Sequence, residues 1–142
     1  MKSYKPKFFR TEEFVPPTLY NTYGDQALSL VMDWRILWTM DALRKRYSSP
    51  IIINNYHLGG HFLQRGFRDD PMVGGELSQH RFGRACDFDI KGVTAESFRE
   101  SARAKRFRDE LQYITRIEDG VNWNHIDCAG VPGDDIVFFK KS

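Results

Sequence analysis

The hydrophobic residues in the first third of the chain follow a helical spacing. Between about Asp25 and Tyr47 they recur three and four positions apart, and the segment ends in a cluster of basic residues, which favours a helix C-terminus. The apolar positions are Leu28, Val31, Trp34, Ile36, Leu37, Trp38 and Leu43. This pattern predicts one or two amphipathic helices. The three prolines within residues 1–24 predict instead an irregular N-terminal arm.

Short runs farther along the chain have the pattern of strands. Ile51–Ile53 is β-branched throughout, Arg84–Ile90 alternates polar with apolar residues, and Ile136–Phe139 is a last apolar run. Tyr113–Glu118 and Val121–Asp127 flank an Asp-Gly dipeptide, which favours a tight hairpin turn.

Thr94 is a good N-cap for one more helix, which we expect to reach about Phe107. Helices and hairpin strands therefore occupy separate parts of the chain, which is typical of an α+β fold. We expect one antiparallel sheet with the N-terminal helices packed on one side. The 142 residues, 41% of them hydrophobic, suffice for a single domain over residues 1–142.

The charge of the chain bears on its partners. The formal net charge is +2, so the broad cationic field typical of nucleic-acid binding is missing. The basic residues between Arg99 and Arg108 are expected to form a solvated helix face, and steep salt dependence of binding would be the sign of a nucleic-acid site instead. No run has the length and apolarity of a signal peptide or a membrane helix. We therefore expect a protein made in the cytoplasm and not inserted in a membrane.

Two pairs of histidine and aspartate residues stand out as candidate metal ligands. His80 precedes Asp87 by seven positions, and His125 precedes Asp127 by two. A catalytic zinc site usually has three protein ligands of nitrogen and oxygen and leaves one position for water. Two histidines and one carboxylate would meet that requirement.

Other interpretations of these side chains remain open. The two histidines could be separate structural residues, and a cysteine could replace one ligand, since Cys128 lies three residues after His125. Cys86 and Cys128 are otherwise expected to be buried thiols. His57 and His61 lie in a glycine-rich stretch, and we expect them in a loop near the cleft.

The segment SQHRFGRACD at positions 78–87 resembles the S-x-H-x-x-G-x-A-x-D signature of zinc D-alanyl-D-alanine carboxypeptidases and related phage endolysin peptidases. The later segment WNHID at positions 123–127 is similar to the W-x-H-x-D pattern of some phage members. The resemblance implies one zinc ion per chain, bound by His80, Asp87 and His125. It also implies the fold shared by this family and the hedgehog proteins.

A third resemblance concerns the substrate. The tripeptide Gly66-Phe67-Arg68 is similar to the S-G-x-R motif, whose arginine holds the substrate carboxylate, although Arg65 stands where the serine is expected. The planar guanidinium suits this role because it can donate two parallel hydrogen bonds to a carboxylate. The resemblance therefore implies that Arg68, together with Ser78, binds the substrate.

The general base is the weakest point of the comparison with the family. In the family a Glu or Asp commonly stands three residues before the last ligand, whereas this chain has Asn122, which cannot accept a proton at neutral pH. Asp127 would share a strand face with His125 and could act as the base or orient the histidine. Glu118 and Asp119 are weaker candidates because they lie at or near the predicted turn.

The resemblance as a whole implies hydrolysis of peptide bonds in peptidoglycan stem peptides. Whether the enzyme would act as a carboxypeptidase or an endopeptidase stays open, and action at the cell wall would require lysis or delivery. The alternative is a non-catalytic protein of the same fold, stabilised by zinc, that binds the cell wall or forms part of a virion.

Overall fold

The computed structural model describes residues 3–141. Most of its helices precede its strands along the chain, and one helix lies between two strands of the sheet, as in an α+β protein. The α-helices are α1 (Pro17–Tyr23), α2 (Gln26–Val31), α3 (Trp34–Tyr47) and α4 (Ala95–Arg103). The strands are β1 (Ile51–Ile52), β2 (Ala85–Ile90), β3 (Arg116–Glu118), β4 (Asn124–Asp127) and β5 (Val137–Phe139). Short 3₁₀-helices cover Thr11–Glu13, Tyr56–Leu58 and Gln79–Phe82.

The strands form one mixed sheet in the order β1-β2-β4-β3-β5. The first four are paired antiparallel, and β3 pairs with β4 as predicted, but residues 119–123 connect them instead of a tight turn at Asp119-Gly120. The prediction of a wholly antiparallel sheet was wrong at the edge, because β5 runs parallel to β3. Both edges of β4 are occupied, one by β2 and the other by β3. The chain after β4 must therefore cross over before β5 can pair with the free edge of β3.

The two faces of the sheet differ sharply in composition. Successive side chains of a strand point to opposite faces, so every second residue of β2, β3 and β4 shares a face. On one face the buried residues Cys86, Phe88, Ile117 and Ile126 belong to the hydrophobic core. The same core contains Ile36, Leu37, Met40 and Leu43 of α3 and Phe98 of α4. The opposite face carries the polar residues of the candidate site.

The helical predictions hold, with changes in the N-terminal arm and at the end of α4. The N-terminal arm is partly helical, because Pro17 occupies the first position of α1, where a missing N–H is tolerated. The segment from about Asp25 to Tyr47 is two helices, and Asp33 caps the second by accepting a hydrogen bond from the Arg35 amide. Thr94 caps α4 as predicted, but the helix ends at Arg103. Soon after that end, Lys105 adopts a left-handed φ of 58°.

Arg99 is the exception on a basic helix face that is otherwise solvated, as predicted. Its side chain is buried, and its guanidinium donates hydrogen bonds to the carbonyl oxygens of Val121 and Trp123. It also lies 3.4 Å from Asp119. Arg99 thus ties α4 to the turn between β3 and β4, while the other basic residues of this cluster are exposed. Within residues 3–141, no helix has the length and apolar character needed to cross a membrane.

Candidate metal centre

His80 is held in the 3₁₀-helix that leads into β2. The turn ends at Gly83, whose φ is 69° and where a Cβ atom would overlap the carbonyl oxygen of Val31. The His80 ring is buried, and its Nδ1 lies 2.8 Å from the carbonyl oxygen of Gly66. Since a carbonyl can only accept, Nδ1 carries the proton, and Nε2 of the neutral ring keeps a free lone pair.

Asp87 and His125 meet across the ladder between β2 and β4. They are direct partners in the antiparallel register, and Asp87 Oδ1 lies 2.8 Å from His125 Nδ1. The other nitrogen of His125, Nε2, lies 2.8 Å from Asp127 Oδ2. A carboxylate at Nε2 favours a proton on that nitrogen and leaves Nδ1 as the ligand atom when the ring is neutral.

The three candidate ligand atoms converge on one point. His80 Nε2 lies 3.2 Å from His125 Nδ1 and 3.2 Å from Asp87 Oδ1. Together with the 2.8 Å between Asp87 and His125, these separations come close to the roughly 3.3 Å expected between ligand atoms about 2.0 Å from a tetrahedral zinc ion. The set of two imidazole nitrogens and one carboxylate oxygen therefore fits zinc in both chemistry and spacing.

The buried histidines and carboxylates of the site shift the pKa values of His125 and Asp87 through their charges and hydrogen bonds. Burial lowers the pKa of His125, but hydrogen bonds to Asp127 and Asp87, with their charges, outweigh burial and raise this pKa to about 9. Burial raises the pKa of Asp87, but the charges and hydrogen bonds of His80 and His125 outweigh it and lower the pKa. In the metal-free protein, a protonated His125 thus lies between two carboxylates.

Asp127 is fully buried and both of its carboxylate oxygens are engaged. Arg116 donates to them at distances between 2.8 and 3.2 Å, and the amide of Ala129 donates to Oδ1. Burial raises the pKa of Asp127, while the hydrogen bonds from His125 and Arg116 lower it, with a net lowering. Phe139 of β5 packs its ring edge-on against His125 and lies beneath the Arg116 guanidinium. This arrangement favours an orienting role for Asp127 over proton transfer.

Arg68 and Ser78 lie at the same site, on the loop that precedes β2. Arg68 is buried, with Nη1 3.4 Å from Ser78 Oγ and Nη2 3.7 Å from Asp87 Oδ2. Its Nε is buried without a hydrogen-bond partner. Burial lowers the pKa of Arg68, and this effect exceeds the raising effect of Asp87. The loop can approach the Arg68 guanidinium this closely because Gly74 has no side chain. A Cβ atom at that position would lie 2.5 Å from Nη1.

Other residues considered from the sequence do not join the metal cluster. Among the described residues, the group that can hold a metal consists of His80, Asp87 and His125, without a cysteine. Cys86 lies on the apolar face, and Cys128 is buried with its thiol 3.7 Å from the Arg84 carbonyl oxygen. Burial raises the pKa of both thiols, which suits inert structural residues.

Glu118, a weaker candidate for the general base in the sequence analysis, has an unusual environment in the structure. Glu118, the last residue of β3, is only 1% exposed, and its Oε2 has no hydrogen-bond partner. Arg116 pairs with Asp127 and Ile117 with Ile126, so continuing this register by one residue places Glu118 opposite His125. Glu118 therefore belongs to the polar face of the sheet.

Comparison with known proteins identifies a family for the chain. A family model described as Peptidase M15 matches residues 9–127, a range that contains His80, Asp87 and His125. No curated protein and no solved structure matches the chain.

Proposed function

Because the chain belongs to the Peptidase M15 family, we propose that it is a zinc-dependent peptidase that cleaves D-amino-acid-containing bonds in peptidoglycan stem peptides. The observation that carries the proposal is the convergence of three ligand atoms, His80 Nε2, Asp87 Oδ1 and His125 Nδ1, at separations of 2.8 to 3.2 Å. A zinc ion held there would acidify a water molecule and polarise the scissile carbonyl.

The surrounding residues would keep the ligands in place before the metal arrives. The carbonyl oxygen of Gly66 fixes the ring of His80, and the carboxylate of Asp127 fixes the ring of His125. Arg116 in turn donates hydrogen bonds to the Asp127 carboxylate from its Nε and Nη2 atoms. Partners of this kind set the tautomer of each histidine and raise its basicity toward a metal. The site thus supports metal binding beyond its three ligands.

Arg68 is the residue that we propose to hold the substrate carboxylate. Its guanidinium lies beside the metal ligands, yet the contacts to Ser78 and Asp87 are long and Nε has no partner. A buried donor without a partner is costly, so a ligand that accepts from it would be favoured. A carboxylate matches the planar fork of arginine, and a stem peptide ends in one.

One observation favours a second candidate function. Asn122 stands where the family commonly has a Glu or Asp, so the chain could have kept the metal and lost the reaction. The protein would then be a zinc-stabilised module that binds the cell wall or forms part of a virion. For the peptidase and for a wall-binding module alike, the proposed place of action is the cell wall, reached after lysis or by delivery.

The decisive test is incubation of the zinc-loaded protein with purified peptidoglycan, followed by mass analysis of the released fragments. The proposal predicts fragments that differ by a hydrolysed peptide bond and that disappear with a chelator. Loss of single D-alanine residues would identify a carboxypeptidase, and larger fragments would identify an endopeptidase. Sedimentation of the protein with peptidoglycan without any fragment would favour the non-catalytic candidate.

A variant pair tests the substrate site in the same assay. Arg68→Lys keeps a positive charge but loses the two-pronged geometry, so KM should rise about tenfold or more with the zinc content unchanged. Arg108→Lys, at an exposed position on the surface, is the matched control. Equal kinetic constants for Arg68→Lys and the control would remove Arg68 from the substrate site.

A further inference from the structure

Glu118 has no structural role that its surroundings explain. A buried carboxylate is normally stabilised by hydrogen bonds or a paired cation, since burial strips it of water. Glu118 is 1% exposed, yet its Oε2 lacks a hydrogen-bond partner, in contrast to Asp127, whose two oxygens are fully engaged. A catalytic role is one of the recognised reasons for which proteins retain an unsatisfied buried group.

The position of Glu118 relates this group to the metal ligands. The β3–β4 register, continued by one residue, sets it opposite His125, and directly opposed residues have Cβ atoms about 4.5 to 5.5 Å apart on the same face. Glu118 also interacts electrostatically with Arg68, the proposed carboxylate-binding residue. It therefore lies beside His125 and within electrostatic range of Arg68.

The other acidic candidates are less suited to accept a proton. Asp127 is held by Arg116 and His125. Asp119 accepts from the amide of Gly120 and from Arg103, and it faces the turn rather than the ligand cluster. Asn122 has no acidic group. Glu118 remains as a carboxylate on the polar face with an oxygen free to accept.

We propose that Glu118 is the general base of the peptidase, an assignment that rests on the proposed function. It takes the role of the carboxylate that the family commonly has at the position of Asn122. The Glu118 carboxylate takes one proton from a water molecule as the water oxygen forms a bond to the scissile carbonyl carbon. The same proton then passes to the amide nitrogen, and the C–N bond breaks to give a carboxylic acid and an amine. The second proton of the water then passes from the acid to the amine, so the final products are a carboxylate and an ammonium group. Glu118 returns to its ionised form, and no oxidant or further reactant is needed.

The test compares Glu118→Gln with wild type and with Glu100→Gln, which changes an exposed glutamate of α4 in the same way. Glu118→Gln should keep one zinc per chain and a similar KM for a synthetic stem peptide, while kcat falls about 100-fold or more. Glu118→Asp keeps the charge and shortens its reach, so its kcat should lie between those of Glu118→Gln and wild type. Glu100→Gln should equal wild type.

A second measurement separates a catalytic from a structural glutamate. The melting temperature of the chelator-treated Glu118→Gln protein should equal or exceed that of wild type, because the oxygen that the change replaces makes no hydrogen bond in the folded protein. A lower melting temperature with loss of zinc would make Glu118 a structural residue and overturn the proposal. Full kcat in Glu118→Gln would overturn it while leaving the peptidase function intact. A wild type that binds zinc but releases no fragment would overturn both.

Discussion

Asp87 and Phe88 are neighbours in β2, yet they belong to two opposite regions of the molecule. Phe88 faces the core, where its ring packs edge-on against Phe98 of α4. Asp87 faces the other way, toward His80 and His125. Both faces are largely shielded from water, but one is closed with hydrocarbon and the other with charged and hydrogen-bonded groups.

The two faces obtain their order from different physics. Burying a large apolar side chain contributes about 1.5 to 3 kcal/mol and tolerates small shifts of its neighbours. Buried charges contribute little net stability, since the cost of losing water offsets their attraction, and they are stable only when every partner is in place. The apolar face therefore maintains the fold, while the polar face is arranged for a ligand. Substitutions on the two faces should separate stability from metal binding.

The largest effect is expected from His80→Ala on the polar face. Removing one of three ligands should reduce the zinc content from about one per chain to almost none. The fold should persist, because the hydrophobic core is untouched. Elemental analysis after dialysis gives the zinc content, and circular dichroism monitors the fold. His61→Ala, which changes an exposed histidine, is the matched control and should retain zinc. Stoichiometric zinc in His80→Ala would contradict the proposed ligand set.

On the apolar face, Phe88→Ala should give the opposite pattern. The lost burial and the resulting cavity should reduce the free energy of unfolding by about 3 to 5 kcal/mol. Protein that remains folded should still bind one zinc, since Phe88 points away from the ligands. Denaturant unfolding of the metal-free protein measures the change. Phe82→Ala, at a half-exposed ring, should change stability by less than about 1 kcal/mol. A comparable loss in both variants would mean that the core is elsewhere.

The sequence predicted the local parts of both faces. The alternation along Arg84–Ile90 indicated which residues of β2 share a face, and the β-branched run Ile51–Ile53 indicated a short buried strand. These features depend on neighbouring residues, whose backbone geometry is fixed by a few dihedral angles. The convergence of His80, Asp87 and His125 followed from resemblance to a family rather than from periodicity.

The prediction failed where the structure depends on the length of a connection. A tight turn at Asp119-Gly120 would pair Glu118 with Val121 and place it far from His125. The actual connection extends over residues 119–123, which shifts the residue opposite Glu118 by four positions, from Val121 to His125. The parallel direction of β5 and the burial of Arg99 likewise depend on contacts between distant segments. No local pattern encodes such contacts.

Asp127→Asn tests how much the polar face depends on its supporting partners. The amide keeps the shape but has no negative charge for the Nε2 proton of His125 or for Arg116. Zinc affinity should fall about 10- to 100-fold, with turnover near wild type once zinc is saturating. Competition with a chromogenic chelator measures the affinity, and Asp109→Asn at an exposed position is the control. If turnover at saturating zinc instead fell about 100-fold, Asp127 would be the base and Glu118 would not.

The smallest expected effect is the proton exchange that accompanies zinc binding. His125 has a pKa of about 9 in the folded metal-free protein, against an ordinary value of 6.5, so near pH 7.5 it holds a proton that zinc must displace. About one proton should therefore leave per zinc bound, and calorimetry in buffers of different ionisation enthalpy measures it. The raised pKa of His125 also makes the stability of the metal-free protein depend on pH. The stability that protonated His125 contributes to the metal-free protein is complete below pH 6.5 and is lost as the pH rises through about 9, whereas the zinc-loaded protein should show no such loss. Zinc binding without proton release near pH 7.5 would mean that His125 is already neutral, and the polar face would then carry an uncompensated negative charge.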